Sequence, residues 1–154
     1  MAPTTKIIGV NSILKDGNHI LLWDFDHVPI EPIKNELRWI QAKYRLPRII
    51  ICKTSKIAGF HAYCFKKVTW RQCVEIIASS HLMDWNYFKY GIYRQKFTLR
   101  VFPKCGRKIE PYMILDSPYK EDATIEDLTS WVQYETLTDS HKSRKVELKL
   151  FAKD

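Results

Sequence analysis

The segment Ile20–Asp26, ILLWDFD, carries the sharpest chemistry in the chain. Read as a strand, its period of two puts Asp24 and Asp26 on one face and Trp23 with Phe25 on the other. Two carboxylates so close together repel one another. A hard divalent cation, magnesium or manganese, relieves that repulsion through oxygen ligands and bridges to substrate phosphates. A solvated strand end before a turn is the plainer alternative, because Asp is common there.

A second segment, KTSKIAGFH at Lys53–His61, leads into the strand-like FHAYCF. Ser55, Lys56 and the Gly59 backbone supply donors able to cradle phosphate, and the His61 ring adds an N–H. A half-buried histidine bonded to a backbone carbonyl, beside ordinary loop lysines, competes with that reading. The third segment is basic. Seven cations (Lys89, Arg94, Lys96, Arg100, Lys104, Arg107 and Lys108) occur between Lys89 and Lys108 without one acid, whereas Lys120–Asp139 holds six acids and one base. Tyr87, Phe88, Tyr90, Tyr93, Phe97 and Phe102 are interleaved with those cations. Phosphate attraction combined with base stacking suits a single nucleic-acid strand. Core packing and snorkelling explain part of the pattern but not its one-sided sign.

These residues need elements to hold them. Asp16-Gly17 marks a hairpin turn within Ile7–Asp26, with Ile20–Asp26 as the return strand. Apolar residues at Ile33, Leu37, Ile40 and Tyr44 keep a helical period, which Leu46-Pro47 ends. The β-branched run Ile49–Ile51 predicts a buried strand, followed by another over Phe60–Phe65. Thr69 and Gln72 have capping-box spacing and predict a helix from about Thr69 to Leu82. Strands are predicted over Phe97–Phe102, Tyr112–Leu115 and Val146–Phe151, with a short helix carrying Ile125, Leu128 and Val132 after Thr124. The expectation is an α+β domain with mixed or antiparallel sheets and packed helices, occupying 1–154 as one compact unit. Neither GxGxxG nor GxxxxGK[ST] occurs, so a doubly wound nucleotide-binding sheet is disfavoured.

Composition narrows the class further. The chain has 154 residues, of which 45% are apolar, and a net charge of +8. That suits one globular core with a polyanionic partner. No apolar run is long enough to span a membrane, and the start MAPTTKIIGV lacks a secretory pattern. Cys52, Cys64, Cys73 and Cys105 form no CxxC pair, so reduced thiols in a cytoplasmic protein are expected.

The order of these motifs resembles the archaeo-eukaryotic primase superfamily, including its primase-polymerases. Leu21–Asp26 matches the strand ending in two acids, Ser55–Tyr63 the turn closing on a histidine, Met83-Asp84 the hydrophobic-Asp pair, and FTLRVFPK the Arg-then-Lys strand. The SKIAGFH turn departs from the pattern by lacking repeated small residues before its histidine. The resemblance implies an RRM-like primase-polymerase core in which Asp24, Asp26 and Asp84 bind two divalent cations, Mg2+ or Mn2+. Asp116, in ILD, competes with Asp84 as third carboxylate. It further implies that His61 contacts a nucleoside triphosphate, helped by Ser55, Lys56, Arg100 and Lys104. The implied activity is template-dependent nucleotidyl transfer, making or extending primers on single-stranded DNA, with Lys89, Arg94, Lys96, Arg107 and Lys108 along the template. A replicative helicase is the candidate protein partner. The competing functions are a non-catalytic single-strand or origin-binding module, a metal-dependent nuclease and a sheet-based RNA-binding domain.

Overall fold

The computed structural model describes residues 5–54, 59–101, 111–135 and 142–144, with backbone alone at 5–8, 100–101, 130–135 and 142–144. Strand β1 (Thr5–Leu14) turns into β2 (His19–Asp26). Gly17 takes φ +89°, a left-handed conformation that favours glycine. Asp16 braces the turn by accepting from the Asn18 amide at 2.9 Å and from Lys67 Nζ at 3.0 Å. Those two bonds, the amide first, hold its carboxyl below the usual 3.8.

The two strands of this hairpin then part. They pair only at Ile13↔His19, after which β1 lies between β5 (Thr98–Val101) and β7 (Leu128–Glu135), while β2 joins β4 (Gly59–Val68). The full order is β6-β3-β4-β2-β1-β7-β8, with β5 also on β1, where β3 is Ile49–Lys53, β6 Pro111–Leu115 and β8 Lys142–Arg144. Every described pairing is antiparallel. The expected mixed α+β architecture, antiparallel sheet with packed helices, is what the chain adopts.

Helix α1 (Ile30–Tyr44) buries Ile33, Leu37, Ile40 and Gln41, a stripe at helical spacing. Gln41 is no polar misfit: its Nε2 donates to Pro47 O at 3.1 Å and to Leu115 O at 2.9 Å, tying the helix to β6. Helix α2 (Trp70–Ala78) starts with the predicted capping box, in which Gln72 N donates to Thr69 Oγ1 at 3.2 Å and Thr69 N to Gln72 Oε1 at 3.0 Å. It stops short of the predicted Leu82. Glu36 of α1 captures the Ser80 hydroxyl at 2.6 Å and the His81 amide, pulling the chain out of the helix.

Two other expectations change. Trp85–Arg94 forms helix α3, where the sequence suggested only a basic, aromatic track. The helix expected to carry Ile125, Leu128 and Val132 is a single 3-10 turn, Ile125–Asp127, and Leu128 and Val132 belong to β7. Strand pairing with β1 through Leu14↔Leu128 and Ile8↔Val132 satisfies that backbone better than an isolated short helix would. The expected strand Val146–Phe151 lies outside the described residues.

Two sites join the halves of the sheet. Phe97, fully buried, meets Trp70 at 5.3 Å, Tyr87 at 5.2 Å and Phe88 at 5.9 Å. A Cβ on Gly91 would strike the Phe97 ring. Replacing Gly91 with Ala should therefore destabilise the fold by about 1–3 kcal/mol through overpacking, read by chemical denaturation.

The second site is polar. Ser12 Oγ accepts from the Phe97 amide at 2.9 Å and lies 2.9 Å from His19 Nδ1. The hydroxyl proton is thus the natural donor to Nδ1 of a neutral ring. Burial lowers the His19 pKa from its ordinary 6.5. The unfolded chain then binds the extra proton first, so stability is fully present above about pH 6.5 and falls as pH drops below it. Denaturant melts at pH 7.5 and 5.5 should show this loss in the wild type and a smaller one in His19→Gln.

Candidate functional site

Register sets the centre of the site. Leu22, Asp24 and Asp26 alternate onto one face of β2, and across the ladder they oppose Tyr63, His61 and Gly59 of β4. Direct opposition brings His61 Nε2 to 3.4 Å from Asp24 Oδ1. Both side chains are mostly screened from water, at 13% exposure for His61 and 28% for Asp24. Beneath them the sheet is apolar, with Leu22, Tyr63, Ile50 and Cys52 buried.

Helix α3 closes the same corner. The Asp84 amide donates to Asp24 O at 2.8 Å, and the Tyr87 hydroxyl donates to Leu22 O. Burial, followed by the nearby Cys73, Asp24 and Tyr63 groups, pushes the Tyr87 phenol well above 10.0, so it remains a proton donor. Burial likewise raises Tyr63. Cys52 is pushed up to about 12 by burial, and Cys64 and Cys73 still higher. These three stay thiols at neutral pH and supply no thiolate nucleophile. What the corner offers is a carboxylate within 3.4 Å of an imidazole nitrogen, both mostly screened from water.

The expected carboxylates meet three different fates. Asp24 pairs with His61. Asp26 is exposed and sits 3.6 Å from His27 Nε2. Asp84 is the N-cap of α3, its Oδ1 accepting from the Asn86 amide at 3.3 Å. Among the described residues, no group of three or more His, Cys, Asp or Glu is placed to hold a metal ion. The expected pair of Mg2+ or Mn2+ ions on Asp24, Asp26 and Asp84 is therefore corrected: one acid faces an imidazole, one faces solvent and one caps a helix.

Asp84 and Asp116 are nevertheless separated clearly. Asp116 follows Leu115, which pairs with Ile49 at the start of β3, whereas His61 pairs with Cys52 near its end. Asp116 thus lies at the far end of the sheet, where its carbonyl accepts from Arg38 at 2.8 Å. Asp84 belongs to the Asp24 corner.

Of the expected cations, Lys89 and Arg94 are exposed on α3, and Lys96 is half-exposed just beyond it. Arg100 stands on β5 opposite Gly9 of β1, and β5 also runs beside β2. Ser55, Lys56, Lys104, Arg107 and Lys108 lie outside the described residues. Sequence reading missed His27, an exposed residue with φ 59° that follows Asp26 directly. Its left-handed backbone had only a weak sequence signal, the modest enrichment of histidine at positive φ. It also missed Tyr87 as the anchor of α3, although Asp84 ahead of Tyr87 and Gly91 offered a cap and a helical spacing.

No helix among the described residues is long and apolar enough to cross a membrane. Comparison with family models, with curated proteins and with solved structures gives no match to this chain.

The cap role of Asp84 separates cleanly from any role of its charge. Asp84→Ala should lose about 1 kcal/mol of stability, and Asp84→Asn should keep it, because asparagine caps as well as aspartate. Equilibrium denaturation of both variants checks this.

Proposed function

We propose that the chain has an RRM-like primase-polymerase core and performs template-directed nucleotidyl transfer on single-stranded DNA, with a nucleoside triphosphate as the second substrate. One observation carries the reading. Asp24, His61 and Asp84, drawn from separate motifs of the resemblance, converge: Asp24 and His61 lie 3.4 Å apart, and the Asp84 amide bonds Asp24 O at 2.8 Å.

In this reading His61 meets the triphosphate. Asp24, 3.4 Å from Nε2, stabilises the charged ring, and the other nitrogen meets phosphate oxygen. A fixed donor of this kind contributes most when charge grows on the departing pyrophosphate. Of the expected triphosphate cations, Arg100 on β5, a strand that runs beside β2, lies among the described residues.

A second reading, a non-catalytic single-strand-binding module, is favoured by the lack of a three-ligand metal cluster among the described residues. Incorporation of a labelled nucleotide on a primed single-stranded template distinguishes the two. Catalysis predicts incorporation by the wild type and a loss of about 10²-fold in Asp24→Asn and His61→Ala, with melting behaviour retained. Oligonucleotide binding without any incorporation would leave the module reading standing and remove the enzymatic one.

A further inference from the structure

Helix α3 turns one side to Phe97 and leaves the other bare. Tyr87 and Gly91 are its buried residues. Its outward side holds two rows at four-residue spacing, Trp85–Lys89–Tyr93 and Asn86–Tyr90–Arg94, all exposed, with Ile92 also 41% exposed beside them. Trp85, Tyr90 and Tyr93 are 64%, 62% and 87% exposed. Rings this large ordinarily hide much more of their area.

Neighbouring groups partly order these rings. Trp85 stacks on Phe88 at 5.6 Å with the planes 23° apart, and the Arg94 guanidinium lies over Tyr90 at 5.7 Å. The charge on this side has one sign. From Trp85 to Arg94 the helix carries Lys89 and Arg94 and no acid. Trp85 and Tyr93 are separated by about 12 Å along the axis, room for separate bases on separate rings.

We propose that this side of α3 is a stacking platform for single-stranded nucleic acid. Bases rest on Trp85, Tyr90 and Tyr93, and Lys89 and Arg94 meet the phosphates. This rests on the nucleic-acid reading above and assigns the strand a path. The helix that caps the Asp24 corner is then also the helix that holds the strand. A protein partner would favour a ring cluster clear of charge at its centre. Here Lys89 sits between Trp85 and Tyr93, and Arg94 covers Tyr90, which favours a polyanion with flat faces.

The test is anisotropy of a labelled mixed-sequence single-stranded oligonucleotide, titrated with the full chain. Tyr93→Ala and Tyr90→Ala should each weaken binding about tenfold, and Tyr93→Phe should bind like the wild type. Lys89→Gln should lower the slope of affinity against salt. Unchanged melting of all four variants is expected, since these side chains are exposed. If both alanine variants bind as tightly as a binding wild type, the platform is wrong and this side of α3 belongs to a protein partner. A wild type that binds no oligonucleotide would overturn the nucleic-acid reading itself along with the platform.

Discussion

The register of β2 against β4 is the constraint on which the rest depends. Leu22 opposes Tyr63 and Asp24 opposes His61, so one face of the ladder runs from apolar core to polar corner within two residues. A slip of one residue would reverse every side chain, sending Asp24 inward and Trp23 outward. Trp23 and Phe25, fully buried on the opposite face, make that slip very costly. The apolar half of ILLWDFD therefore positions the acidic half. Neither Asp24 nor His61 needs to stabilise the fold in order to be held.

Helix α3 depends on that ladder in turn. Its first residues hang on the β2 backbone through Asp84 N to Asp24 O and the Tyr87 hydroxyl to Leu22 O. Its far end is wedged by Gly91 against Phe97, whose own amide is held by Ser12 of β1. The helix bridges the corner where β1 and β2 part. Its inner side is committed to this bridging, and its outer side carries exposed rings and cations.

Charge is divided to match. Acids and histidines gather at the ends of β2 and β4, while cations lie along α3 and on β5. An anionic strand approaching Asp24 directly would be repelled. His61, 3.4 Å from that carboxylate, gives the corner an imidazole where it would otherwise present only an acid. The neutral, buried pair of Ser12 and His19 follows different logic, joining strands rather than meeting ligand.

Local chemistry made much of this legible. The Asp16-Gly17 turn, the capping box at Thr69 and Gln72, the period of α1 and the β-branched run of β3 are short-range signals, and each corresponds to an observed element. Other features had no local signature. The short apolar pattern of Leu128 and Val132 fits a helix or a strand equally well, and only pairing with β1 chose strand. Whether Asp84 or Asp116 joins Asp24 depends on which end of the sheet each reaches, a matter of strand order. The sequence by itself determined which groups exist and which faces they alternate onto, because those follow from backbone period. Only the tertiary structure decided that the three acids serve as imidazole partner, solvent-facing group and helix cap rather than as one metal cage. Carboxylate spacing along a chain sets their number, whereas their approach is set by what each finds to bond when strands and helix meet.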